Sequence, residues 1–230
     1  MTTTDDPKPS PSVRARVLAD ARAAPSATRP AVRRRDGTLL GAAAAASAIG
    51  FLLVGGVRSV GRPVGLIAGT AGGIALCAVV ALALIARRSM VGPSRGRLIV
   101  LSLAAPLVLL AWKMIVSHAY GGATDPWSDR AGARCFALTI LLSALPFVAA
   151  LAVRRHIDAT HPTSHGTALG VAVATAAAVL VDLWCPVGHL PHVLGGHILP
   201  IVALGALGAV LGSRILAVRP QAVRGGPDPS

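Results

Sequence analysis

Six stretches with almost no charge govern what this chain can become: residues 39–57, 64–86, 98–117, 135–153, 167–184 and 198–218. They are 18 to 23 residues long, and a helix rising about 1.5 Å per residue needs about 20 to cross a hydrocarbon layer of about 30 Å. The chain has 22 basic and 9 acidic residues, yet only Lys113, Asp182 and Arg214 fall inside these stretches. Lipid offers a backbone no hydrogen-bond partner, so only helices and closed barrels span it, and the alternating pattern of barrel strands is absent. The expected fold is therefore all-α: a polytopic membrane protein with a bundle of six transmembrane helices. Ala-rich helices of a soluble bundle are the alternative, and six such runs in succession argue against it.

Composition excludes two other classes. With 53% hydrophobic residues the chain is too apolar for intrinsic disorder, and three cysteines are too few for a disulfide scaffold. The net charge of +13 acquires meaning from its placement. Lys8, Arg14, Arg16, Arg22, Arg29, Arg33, Arg34 and Arg35 precede the first stretch, and Arg87, Arg88, Arg95 and Arg97 follow the second. Arg154 and Arg155 follow the fourth, and Arg219 and Arg224 lie beyond the sixth, whereas the other side receives Arg58, Arg62, Arg130 and Arg134. The positive-inside bias then predicts both termini in the cytoplasm. This divides the chain into a cytoplasmic N-terminal arm (1–38), a transmembrane domain (39–218) and a cytoplasmic tail (219–230). Trp112, Tyr120, Trp127, Phe136 and Trp184 fall near the expected outer ends of spans, where aromatic rings favour the headgroup layer. Arginines spread over helix ends form no reading face for a duplex, so the lipid bilayer is the expected partner and direct nucleic-acid binding is not expected.

The arm is rich in Pro, Ser, Thr, Ala and Arg and is expected to be mostly flexible. Between Pro11 and Pro25, however, Val13, Val17, Leu18, Ala21 and Ala24 make one apolar stripe on a helix of roughly a dozen residues. So short a helix is marginal alone and becomes ordered against a protein groove or an anionic leaflet, or else remains a frayed linker.

The expected topology places Cys135, which opens the fourth span, and Cys185, which closes the fifth, near the same outer face. Cys77 sits inside the second span and reads as a packing residue. His189, His192 and His197 follow Cys185 in a short connection interrupted by Pro186 and Pro191. Thiolate and imidazole are ligands for zinc and softer metals, so Cys135, Cys185, His189, His192 and His197 are candidate metal ligands, and the two thiols are also candidates for redox sensing. The spacing is not that of a zinc finger, no C-x-x-C motif is present, and inert packing is the alternative. His156, His161 and His165 read as a solvated cytoplasmic loop. Lys113 and Asp182 lie at similar depth and either pair or reach the headgroups separately. Gly65, Gly69 and Gly73, and Gly208 with Gly212, read as sites of close helix packing.

Six spans, a basic arm, a Cys opening span four (Cys135 through Pro146) and Cys185-Pro186 closing span five before His189 and His197 together resemble the NrsF family. Its members are negative regulators of sigma factor F, anti-sigma proteins of the bacterial inner membrane. In topology the resemblance covers nearly the whole chain, and in specific sequence residues 135–218. It implies that the arm holds an extracytoplasmic-function sigma factor, with Val13, Val17 and Leu18 in the sigma-binding region. It further implies that Cys135 and Cys185 sense oxidant or metal stress and release that partner. Where the family commonly has His before the second cysteine and an acidic residue after Cys-Pro, this chain has Trp184 and Val187. The expected function is thus a stress-responsive anti-sigma factor that is not an enzyme and has no resident cofactor, a sensed metal ion being its candidate ligand. The alternatives are an integral membrane redox or metal-handling protein and a small transporter using Lys113 and Asp182.

Overall fold

The computed structural model describes residues 10–12, 15, 19, 29–57, 63–86, 94–120, 130–155 and 160–217, with 29 and 116–120 described by backbone alone. Among them the elements are α1 (Arg29–Leu53), α2 (Val64–Ala86), α3 (Arg95–Tyr120), α4 (Ala133–Val153), α5 (Pro162–Trp184), α6 (Leu190–Val193), a π-turn (Leu194–Ile198) and α7 (Leu199–Ile215). No strand occurs among the described residues. Six segments are long and apolar enough to cross a membrane: parts of α1, α2 and α3, all of α4 and α5, and the composite Leu190–Ile215. The expected all-α, six-span bundle is the fold observed.

The chain divides into two compact units, Met1–Thr38 and Leu39–Ser230. In the first, Pro11, Ser12, Ala15 and Ala19 are helical and exposed, while Val13, Val17 and Leu18 lie outside the described residues. Pro30 falls in the first turn of α1, where its missing N–H costs no helical bond. Arg33, Arg34 and Arg35 are thereby part of a helix.

In the second unit α5 is the hub, packed against α2, α3, α4 and α7. Its sequence explains this role. From Gly166 to Val181 it is built almost entirely of Ala, Gly, Val, Leu and Thr, so neighbours can approach from every side. Leu169, Ala174 and Ala178 are fully buried, whereas Leu76 on α2 and Leu103 and Leu107 on α3 remain largely exposed, as lipid-facing residues should. Lipid tails are as apolar as leucine, so close packing and polar contacts have to hold such helices together.

The α5–α7 crossing shows how. A Cβ on Gly166 would land on the carbonyl oxygen of Gly208, one on Gly170 on that of Leu204, and one on Gly212 at 2.5 Å from that of Pro162. The glycines at 208 and 212 thus have the packing role read from the sequence, and their partner is the unremarked Gly166. The other repeat is more varied. Gly69 admits the Trp112 ring, Gly73 makes ordinary contact with Val179, and nothing lies within 4 Å of a Cβ at Gly65.

α1 is attached to the bundle through α4. Ser47 Oγ donates to the Leu142 carbonyl at 2.7 Å, and a Cβ on Gly50 would lie 3.3 Å from the Leu142 side chain. One loop expectation is corrected: His165 is not solvated. It falls in the first turn of α5, is fully buried, and its Nε2 lies 3.2 Å from the Leu84 carbonyl at the end of α2. The helix begins at Pro162, which turns the residue inward. His156 lies outside the described residues.

Candidate metal and thiol centre

The centre forms where α5 ends. The Cys185 N–H closes the last turn on the Val181 carbonyl at 2.8 Å, and Pro186, lacking an N–H, stops the helix there. Only 185–189 are non-helical before α6 begins, with Pro191 in its first turn. The expected connection, residues 185–197, is therefore largely helix, and this matters for the histidines. Residues five apart on an α-helix point about 140° away from each other. The π-turn at Leu194–Ile198 inserts one residue between His192 and His197, so the two rings share a face, 5.8 Å between centroids. Such bulges often occur where a helix must present side chains for function.

Three glycines then admit the start of α4. Gly132 has φ +79°, and a Cβ there would meet Gly196 N at 2.5 Å and the His192 carbonyl at 2.7 Å. On the facing side, a Cβ on Gly195 would lie 2.9 Å from the Ala131 carbonyl, and one on Gly196 at 2.9 Å from the Gly132 carbonyl and 3.0 Å from Cys135 Cβ. The backbones therefore touch, and Cys135, in the first turn of α4, comes to rest against the π-turn. Gly132→Ala should lower thermal stability by about 1–3 kcal/mol, because it is strained both by the left-handed backbone and by the contact. Gly65→Ala, with open space around it, serves as the control in a detergent melting series.

One donor atom from each of Cys135, Cys185, His192 and His197 lies within 4.8 Å of the other three. The four residues are 1%, 2%, 4% and 0% exposed. Cys185 Sγ is 3.2 Å from His192 Nε2. Both ring nitrogens of His197 are buried, with the Cys185 thiol beside the ring. Buried imidazole nitrogens need a donor, an acceptor or a bound ion. Bond lengths of about 2.0–2.3 Å in a tetrahedral zinc site set donor–donor distances of about 3.3–3.8 Å. The cluster is thus within about 1 Å of closing on an ion, and its S2N2 donor set suits zinc or a softer relative. A hydrogen bond from the Cys135 thiol, reinforced by the neighbouring imidazoles, holds the Cys185 thiol far below its ordinary range against the opposing effect of burial. No disulfide joins the two cysteines. His189 is placed outside the four: it is exposed, and its ring stacks on His192 at 6.5 Å.

Lys113 on α3 and Asp182 on the last turn of α5 form a buried ion pair, and Lys113 Nζ also donates to the Val187 carbonyl at 3.4 Å. Arg134 caps the Trp184 ring, 5.4 Å from its centroid. Cys77 is apart from this cluster, lining an apolar cavity of about 380 Å³ between α2, α3 and α5. Sequence reasoning missed Gly132, Gly195 and Gly196. Their signal was a glycine three residues before Cys135 and a Gly-Gly pair between two histidines.

Residues 20–217 match the family described as negative regulator of sigma F, NrsF. Comparison with curated proteins and with solved structures yields no match.

Proposed function

Because the chain belongs to the NrsF family of negative regulators of sigma F, we propose that it is a membrane-bound anti-sigma factor whose thiol and imidazole cluster governs release of its partner. In this reading it lies in the bacterial inner membrane with its N-terminus in the cytoplasm. The arm, through Val13, Val17 and Leu18, holds an extracytoplasmic-function sigma factor away from DNA. Cys135, Cys185, His192 and His197 face the outer side and bind a soft metal ion, with His189 stacked at the rim as a further imidazole. The observation that carries the reading is the gathering of four donor side chains from α4, the end of α5, α6 and the π-turn within 4.8 Å.

Metal binding would take both sulfurs as thiolates, with Cys185 already held low and Cys135 giving up its proton. It would draw the start of α4 toward the end of α5. α4 also carries Leu142, the seat of Ser47 and Gly50 on α1, and α1 is continuous up to Arg29. The bound and unbound packings of α4 are the two states a ligand would bias.

The proximity of the two sulfurs favours a second input, oxidation. An external oxidant would take two electrons from the Cys185 thiolate and the Cys135 thiol, whose proton leaves as a disulfide forms, pulling on the same helices. A sigma-dependent transcription reporter in cells exposed to Cd2+ or to peroxide separates the inputs. The Cys135→Ser/Cys185→Ser variant should lose both responses, whereas His192→Ala/His197→Ala should lose the metal response and keep the peroxide one. A Cd2+ response unchanged by loss of both cysteines would overturn the sensing reading. A metal-handling protein would instead lose cellular metal content or thiol turnover in the double Cys variant, with transcription unaffected.

A further inference from the structure

Beside the donor cluster lie two full charges with no place among its ligands. Lys113 and Asp182 are 4% and 6% exposed at their side chains and paired with each other. Pairing holds α3 against α5, as polar contacts in lipid do, and the placement of the pair gives it a further task. Asp182 stands three residues before Cys185 and Val187 two after it, so a single ammonium from α3 grips the chain on both sides of that cysteine. Beyond Trp184 the backbone has left the helical ladder. Lys113 reaches across to hold it at the Val187 carbonyl, and α3 also packs against α6 and the π-turn.

We propose that Lys113 and Asp182 are positioning residues for the thiol centre, fixing Cys185 Sγ against His192 and Cys135. As it bears on metal affinity, this rests on the metal-binding reading above. As it bears on the placement of the thiol, it stands independently. Groups that orient metal ligands typically contribute about 10- to 100-fold in affinity, and this pair acts through the backbone on either side of a ligand.

The test uses the full chain in lipid nanodiscs. Cd2+ binding is followed by thiolate-to-metal absorption, and the alkylation rate of Cys185 is measured in the metal-free protein. Lys113→Met/Asp182→Leu removes both charges and leaves neither orphaned. It should weaken Cd2+ binding about 10- to 100-fold and speed alkylation at least about tenfold, while Lys113→Arg, which keeps charge and donors, stays near wild type. Asp182→Glu keeps the charges and moves the carboxylate by one methylene. It should also speed alkylation, and it provides the reading if the apolar variant fails to fold. Alkylation unchanged in whichever of these variants folds would overturn the proposal. A wild type that binds no Cd2+ removes the metal reading and leaves this inference to be judged on alkylation alone.

Discussion

Cys185→Ser in the full-length protein should weaken binding of Cd2+ or Zn2+ by more than about 100-fold, beyond the range produced by residues that merely orient ligands. Cys185 interacts with each of the other three members of the cluster. Its sulfur lies 3.2 Å from His192 Nε2, and the Cys135 thiol and the imidazoles hold its own thiol low. It is therefore the donor best prepared to bind as thiolate, and a serine hydroxyl is a harder ligand with a far higher barrier to ionisation. Cys135→Ser should follow closely. His197→Ala should cost less, since two sulfurs and His192 remain. Cys77→Ser supplies the control, because Cys77 lines a separate cavity. Isothermal titration in nanodiscs gives the ranking, and equal affinities for the Cys185 and Cys77 variants would contradict it.

The largest structural effect is expected at the α5–α7 crossing. Gly166→Val would drive a branched side chain into the Gly208 carbonyl and the Gly212 backbone. Side-chain rotation gives no relief, because the obstacle is main chain on the facing helix. Overpacking typically costs about 1–3 kcal/mol, and a clash between backbones on the hub helix belongs at the upper end or beyond. The variant should melt well below wild type or fail to accumulate in the membrane. Gly166→Ala should show a smaller loss of the same sign, and Gly65→Ala none. A Gly166→Val protein with unchanged melting would mean that the two helices do not cross there.

What could be read in advance follows the physics of each feature. Span number and helical class are legible because hydrocarbon thickness imposes length and polarity on every crossing, whatever surrounds it. Gly208 and Gly212 are legible by their four-residue spacing. Their partner Gly166 is not, because which helices meet is a tertiary fact. The similar depth of Lys113 and Asp182 left pairing open, and the structure makes the pair and adds the bond to Val187. Four of the five candidate ligands come together. The reason for that meeting was hidden, since a spacing of five separates side chains on an ordinary helix. Only the π-turn restores His192 and His197 to one face. His165 was misread because a histidine among arginines resembles a loop until the helix start at Pro162 is known.

In the proposed function a sigma factor is held by this protein and released through Cys135 and Cys185. The full-length protein can be isolated from membranes with its bound sigma factor, and that partner quantified before and after Cd2+ is added. Wild type should hold the sigma factor and shed it on metal addition, and Cys135→Ser/Cys185→Ser should hold it throughout. A wild type that retains no sigma factor, or a double variant that releases it as readily as wild type, would contradict release through these cysteines.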